Sequence, residues 1–151
     1  MSKRENRKKK ERLKKLEENY SFFEDRRKHV AFSFQFLTVG ENAGQSFEDW
    51  NKEGIILDLN NKLREFSKKT KKELLSDKSL AIYGEYPTNS KFAYPLSIPR
   101  NDSVQWARLS LTGERRIAGF FSSGADRESD IFNIVFLDKE HDFYPVGKKH
   151  T

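Results

Sequence analysis

The sequence has 151 residues, of which 35% are hydrophobic, 34% are charged and 13% are aromatic, and its net charge is +6. This length suits one domain with a single core, and the aromatic content argues against a disordered chain. The lack of cysteine excludes disulfides, thiolate metal sites and cysteine nucleophiles. No apolar run approaches the ~20 residues of a membrane span, so we expect a soluble, cytoplasmic protein.

The positive charge is concentrated at the N-terminus. Residues 1–28 contain twelve Lys and Arg and six Asp and Glu, whereas the remaining residues are neutral overall. Segment 3–28 lacks Gly and Pro, and its apolar residues recur at helical spacing: Leu13, Leu16, Tyr20 and Phe23. We therefore predict a basic helical arm over 1–28 before a single domain over 29–151.

Two interpretations of this arm remain open. The arm is either a solvated, partly disordered tail or a helix docked through its apolar stripe. In the second case it presents basic side chains to the phosphates of a nucleic acid. The basic side chains are Lys8, Lys9, Lys10, Arg12, Lys14 and Lys15.

Residues 30–37 (VAFSFQFL) alternate with a period of two, which predicts a half-buried strand. Its four larger apolar residues, Val30, Phe32, Phe34 and Phe36, should share one face. The next element is a helix over 46–67.

Capping signals mark where the central helices begin. Ser46 with Asp49 predicts the start of the helix over 46–67, and we expect Gly54 to kink it or to divide it in two. Thr70 with Glu73 predicts the start of a further short helix. The lysines at this junction are either a solvated helix end or a contact to phosphate: Lys68, Lys69, Lys71 and Lys72.

The remainder of the chain is predicted to form a sheet. An irregular segment over 88–103 contains two prolines, with a short strand expected at 92–97. Thr112-Gly113 is typical of a tight turn, and 122–130 is a polar loop. Short connections imply an antiparallel meander, and helices packed on one face of it give an α+β domain. The predicted strands are 80–86, 104–111, 115–121 and 131–138.

Candidate functional residues lie in this meander. Pairing across the tight turn should bring Arg108 and Arg116 to one face with Arg115 nearby, and guanidinium groups suit bidentate contact with phosphate. After the last strand, His141 could act as a general acid or base and Tyr144 could donate to a phosphate oxygen. The alternative is that the arginines are surface charges paired with carboxylates and that the histidine is an ordinary loop residue.

The segments WARLSLTGERRIAGFF and IFNIVFLDKEHDFYP, in the order strand, helices, meander, resemble the RelE-like toxins of bacterial toxin–antitoxin systems. The resemblance covers residues 30–145 in architecture and about 104–144 in local pattern. It implies an endoribonuclease that cleaves mRNA, often on the ribosome, without a metal. It also implies that Arg108 and Arg116 contact the phosphate and that His141 lies near the catalytic position. The chain departs from the family in its length, its basic arm and its extended 122–130 loop.

Three functions follow as hypotheses. The first is a RelE-like endoribonuclease acting on RNA or the ribosome, with a possible antitoxin partner. The second is a noncatalytic RNA- or DNA-binding accessory protein, phage-derived, that uses the arm and the sheet. The third is a protein-interaction module whose basic helix meets an acidic partner. The three histidines, His29, His141 and His150, lack metal-ligand spacing, and the glycines form no phosphate-binding loop, so we predict no metal and no cofactor.

Overall fold

The computed structural model describes residues 2–124 and 127–145, so the predicted domain's last residues, including His150, lie outside the described residues. The chain is a mixed α+β structure with a five-stranded sheet. A 3-10 turn over Arg127–Asp130 lies within the predicted 122–130 loop. The helices are α1 (Lys3–Arg26), α2 (Phe47–Lys52), α3 (Ile56–Phe66) and α4 (Lys71–Ser76). The strands are β1 (Ala31–Ser33), β2 (Leu80–Gly84), β3 (Val104–Ser110), β4 (Arg116–Ser122) and β5 (Ile131–Asp138).

The sheet has the strand order β1-β5-β4-β3-β2. Strands β2 to β5 form an antiparallel meander, which confirms that prediction. Strand β1 lies outside this meander, and the sequence carried no prediction of its pairing; it pairs with β5 in parallel. It can do so because the chain between β1 and β2 includes three helices, and a long crossover is what a mixed sheet requires.

The strand predicted over 30–37 is shorter than its alternating pattern indicates. It ends at Ser33, and the amide of Leu37 donates to the carbonyl of Phe34 in a turn. Because the chain bends there, Val30 packs in the core on the helix side, whereas Phe36 packs on the other side against Phe120. The prediction that the apolar residues of 30–37 share one face was therefore wrong.

The central helices begin where the capping signals place them. The hydroxyls of Ser46 and Thr70 accept from the amides of Asp49 and Glu73, and both capping boxes are complete. Gly54 adopts φ +74°, a left-handed conformation that ends α2 before α3 begins. Of the two alternatives for Gly54, the division into two helices is the one observed.

The basic arm is a helix, not a frayed tail. Its N-terminus is closed by a capping box between Ser2 and Glu5. Its apolar stripe is not docked on the domain, because Leu13 is 51% exposed and Phe23 is 65% exposed. Of the two interpretations of the arm, the helical one is observed, but without the docking that it included. None of the described helices combines the length and the apolar character that crossing a membrane requires.

Apolar clusters cover both faces of the sheet. On one face α2, α3 and α4 contribute a core that includes Trp50, Leu59 and Leu74. On the other face the segment 85–103 packs through Phe92 and Ile98 against Trp106, Phe120 and Phe136 of the strands. No strand forms at 92–97 in this described segment; it is an irregular cover, stabilised by a hydrogen bond from the Tyr86 hydroxyl to the carbonyl of Phe92 (2.8 Å).

Candidate active site

The register of the meander brings the polar residues at one end of the sheet together. Arg116 of β4 lies opposite Ser110 of β3 on one side and opposite Asp138 of β5 on the other. Arg108 precedes Ser110 by two residues, and residues two apart in a strand point to the same face. Arg108, Arg116 and Asp138 therefore share the face that carries the Trp106–Phe120 cluster.

These residues line a cavity of about 310 Å³. All four residues predicted as catalytic lie in its wall, although they come from β3, β4 and the segment after β5. Sequence reasoning did not select Tyr83, Asp138 and Phe143, which complete the lining. The full lining is Tyr83, Arg108, Arg116, Asp138, His141, Phe143 and Tyr144.

Both arginines are held by neutral oxygens of the protein. Nη1 of Arg108 donates to the carbonyl of Ser79 (3.3 Å) and to the hydroxyl of Ser110. Nη1 of Arg116 donates to the carbonyls of Gly113 and Arg115, both at 2.9 Å. Within residues 2–124 and 127–145, neither guanidinium forms an ion pair with a carboxylate. Hydrogen bonds to neutral oxygens thus hold the two guanidinium groups, and no carboxylate of the described residues lies within ion-pair distance of either.

The electrostatic state of Arg116 favours an anionic ligand. Burial and the nearby charge of Arg108 lower the pKa of Arg116 from its usual value, and its Nε is buried without a hydrogen-bond partner. A bound phosphate would relieve both costs, because it supplies acceptors to the guanidinium and charge opposite to the pair. The arrangement is therefore suited to bind a phosphate group.

Asp138 fixes the segment that carries His141. Its side chain is 1% exposed and accepts from the amides of Asp142 (2.9 Å) and Phe143 (3.0 Å). Burial raises the pKa of the Asp138 carboxyl, although these hydrogen bonds oppose the change. His141 within this turn adopts φ +60°, in the left-handed region. Asp138 thereby determines where the imidazole of His141 lies in the cavity wall.

Two tyrosines stand side by side in the cavity wall. The rings of Tyr83 and Tyr144 stack with centroids 4.6 Å apart and planes 17° apart. Tyr83 lies at an irregularity of β2 between Ile82 and Gly84. Tyr144 is 45% exposed, so its hydroxyl and ring are available to a ligand. The sequence signal that could have indicated Tyr83 is Gly84, whose φ of +80° marks the irregularity.

Comparison with protein-family models, curated protein sequences and solved structures found nothing that matches this chain. Within the described residues, no group of three or more His, Asp or Glu side chains is arranged to hold a metal ion.

Arg115, predicted to contact nucleic acid, lies outside this cavity. Its Nη2 contacts the carboxylate of Asp58 on α3 at 3.3 Å, and both side chains are about three-quarters buried. The hydroxyl of Thr112 donates to the same carboxylate (2.6 Å). Arg115 therefore attaches the β3–β4 turn to α3. This is the alternative interpretation of the arginines, in which each is a charge paired with a carboxylate.

The basic residues of the arm do not line the cavity either. All six predicted contacts, from Lys8 to Lys15, lie on α1 and are exposed. Where the chain enters α4, Lys69 pairs with Asp77 (2.9 Å), and Lys71, the first residue of α4, donates to the carbonyl of Ser129 (2.6 Å). These two lysines thus have structural contacts, whereas the lysines of the arm are exposed and accessible to a polyanion.

Proposed function

We propose that this chain is a RelE-like endoribonuclease that cleaves mRNA, on the ribosome or free, in the cavity between Arg108 and Tyr144. One observation carries the proposal: two arginines that form no ion pair with any described residue lie in one cavity on a sheet face with an imidazole and two phenols. This combination matches the needs of RNA cleavage, in which charge develops on a phosphate and protons must move. A cytoplasmic location and inhibition by an antitoxin protein belong to the same proposal.

The reaction assigned to the cavity is transesterification within RNA. The ribose 2′-oxygen attacks the adjacent phosphorus, and the bond from phosphorus to the 5′-oxygen of the next nucleotide breaks. The products are a 2′,3′-cyclic phosphate and a 5′-hydroxyl. Arg108 and Arg116 stabilise the negative charge that accumulates on the phosphate oxygens. His141 transfers one of the two protons that must move, either from the 2′-hydroxyl or to the departing 5′-oxygen, and solvent exchanges the other; Tyr144 donates a hydrogen bond to a phosphate oxygen.

The test is cleavage of a labelled RNA by the purified chain and by Arg116→Ala. Loss of a charge-stabilising donor should lower the rate about 10²- to 10³-fold. Arg64→Ala is the matched control, since Arg64 is an exposed arginine of α3 outside the cavity. Cleavage should persist in EDTA, because the cavity residues themselves supply the charge and the proton transfer. Full activity of Arg116→Ala would remove the assignment.

The exposed basic residues of α1 favour a second candidate, a noncatalytic nucleic-acid-binding protein. In this case the chain binds RNA or DNA without cleaving it, and the affinity falls steeply with salt. Replacing Lys8, Lys14 and Lys15 by Gln should then reduce the salt dependence, whereas Arg116→Ala should leave it unchanged. Intact RNA after prolonged incubation would select this candidate over the nuclease.

A further inference from the structure

The apolar stripe of α1 has the spacing of a coiled coil. Leu13, Leu16, Tyr20 and Phe23 are separated by three, four and three residues, which places them at positions a, d, a and d of a heptad written abcdefg. Their side chains are 51% to 65% exposed, and none belongs to either core of the domain. This stripe is an apolar face without a cover in the described chain.

We propose that α1 pairs with α1 of a second copy of this chain, parallel and in register, as a two-stranded coiled coil. The charges beside the stripe determine this choice. In a parallel pair, position g of one helix meets position e of the following heptad in the other. Glu5 then faces Lys10 of the second copy, and Arg12 faces Glu17 of the second copy. By symmetry each opposite-charge contact forms twice.

The antiparallel arrangement does not satisfy these charges. If Leu13 lay opposite Phe23 of the second copy, Arg12 would approach Arg26 twice and the two Glu17 side chains would approach each other. Against these stands one kind of opposite-charge contact, Lys10 with Glu24, whereas the parallel pair has two kinds and no like-charge contact. Like charges at these flanking positions are destabilising. Apolar contact along the stripe alone would allow either orientation. The flanking charges favour the parallel one.

Asn6 supports the same arrangement. It lies one heptad before Leu13, at position a, where a single asparagine specifies the register and the two-stranded state at a cost in stability. Lys9 occupies the d position between Asn6 and Leu13, so the apolar part of the seam begins only at Leu13. The apolar seam thus has four residues per helix, so the dimer should depend on protein concentration.

Pairing would also arrange the remaining basic residues of the arm. Lys8, Lys14 and Lys15 fall at positions b and c, which point away from the seam. Arg7 and Glu11, at b and f, already pair within the helix at 3.6 Å. The dimer would therefore present two sets of outward lysines to a polyanion, while Lys10 and Arg12 contact the second copy. Such pairing is independent of the proposed cleavage chemistry.

The association test uses sedimentation velocity of the full chain across a range of concentrations. The wild type should move from monomer to dimer as concentration rises. Arg12→Glu should weaken association about tenfold, since two attractive contacts become repulsive. Arg12→Glu combined with Glu17→Arg should restore it. Lys14→Glu makes the same charge change at an outward position and should associate as the wild type does.

The orientation test uses the absence of cysteine in the natural chain. Asn6→Cys should form a disulfide between two copies on mild oxidation, because parallel, in-register helices bring the two side chains together. Lys14→Cys, at an outward position, should not. A chain that stays monomeric at every concentration overturns the proposal. So does a dimer that neither responds to Arg12→Glu nor cross-links through Asn6→Cys.

Discussion

Arg116 and Asp138 lie directly opposite each other on β4 and β5 and line the same cavity, yet they form no ion pair. The carboxylate of Asp138 instead accepts from the amides of Asp142 and Phe143. The guanidinium of Arg116 donates to the carbonyls of Gly113 and Arg115, and no carboxylate of the described residues lies within ion-pair distance of it. The carboxylate of Asp138 thus holds the turn of His141, and the arginine remains available to a phosphate.

This arrangement predicts that Asp138 is a positioning residue. Asp138→Asn should lower kcat for RNA cleavage about tenfold or more while KM changes little. The amides of Asp142 and Phe143 donate to different oxygens of the carboxylate, and in Asn an NH2 group, which can only donate, replaces one of these oxygens. A misplaced proton donor mainly affects the chemical step. Asp142→Asn is the control: its side chain pairs with Lys91 at 3.4 Å and does not line the cavity. The assignment fails if the two variants show the same kinetics as the wild type.

His141 allows a replacement that spares the backbone. Its φ of +60° is one that Asn adopts readily and Ala does not. His141→Asn should therefore keep the unfolding temperature while lowering the cleavage rate about 10²- to 10⁴-fold through loss of proton transfer. Cleavage rates and thermal unfolding measured on the same preparation separate the two effects. Unchanged cleavage by His141→Asn would exclude the imidazole from the reaction.

Asp58 should make the stability of the domain depend on pH. Burial tends to raise the pKa of its carboxyl, but hydrogen bonds from Thr112 and Arg115 prevail and hold the pKa below its usual value of 3.8. A carboxyl whose pKa is lower in the folded than in the unfolded state stabilises the folded protein at pH values above its unfolded-state pKa. This stabilisation is lost as the pH falls through its folded-state pKa.

The measurement is the free energy of unfolding of wild type and Asp58→Asn at pH 7 and at pH 3. At pH 7 the variant should be less stable by about 1 kcal/mol, a value suited to a partly buried pair. The difference in stability should narrow at pH 3, which is below the usual pKa of 3.8, because the carboxyl of the unfolded chain is then largely protonated. Glu41→Gln, in an exposed loop, should show no gap at either pH. A gap that widens on acidification would contradict a lowered pKa of Asp58 in the folded state.

Short-range signals account for what was predictable in this fold. The capping boxes at Ser46 and Thr70 involve residues three apart, and the meander follows from turns such as Thr112-Gly113. The convergence of Arg108 and Arg116 also follows from one hairpin, so the sequence was sufficient to place them together. In each case the decisive contacts lie close along the chain.

The features that were missed depend on distant contacts. The parallel pairing of β1 brings Ala31 opposite Ile131. The local alternation of apolar and polar residues does not indicate whether a strand will pair in parallel or antiparallel. Tyr83 enters the cavity through the irregularity of β2 and its contact with Tyr144, and both need the folded sheet. The sequence left two interpretations of the arm open, a solvated tail and a docked helix, because helical periodicity shows that a helix is amphipathic without showing what covers its apolar face. In the structure the stripe of α1 is exposed.

Gly119 provides a test of the sheet register on which the cavity depends. A Cβ at this position would lie 1.9 Å from the carbonyl oxygen of Asn133, a backbone atom of β5 that cannot move aside cheaply. The contact falls at the irregularity where β4 passes from Ala118 to Gly119 against β5, three residues from Arg116. Any side chain here must separate the two central strands or shift their register.

Gly119→Ala should therefore lower the free energy of unfolding by about 3 kcal/mol, at the upper end for overpacking. Gly113→Ala is the matched control: a Cβ there meets nothing within 4 Å, and only its φ of +70° is unfavourable, which costs about 1 kcal/mol. Urea unfolding of both variants gives the comparison. Arg116 and Asp138 face each other only in this register. Under conditions where both variants remain folded, the Gly119→Ala protein should therefore also lose more RNA-cleavage activity than the Gly113→Ala protein. Equal losses in the two variants would mean that the close approach of β4 and β5 at Gly119 does not position the cavity.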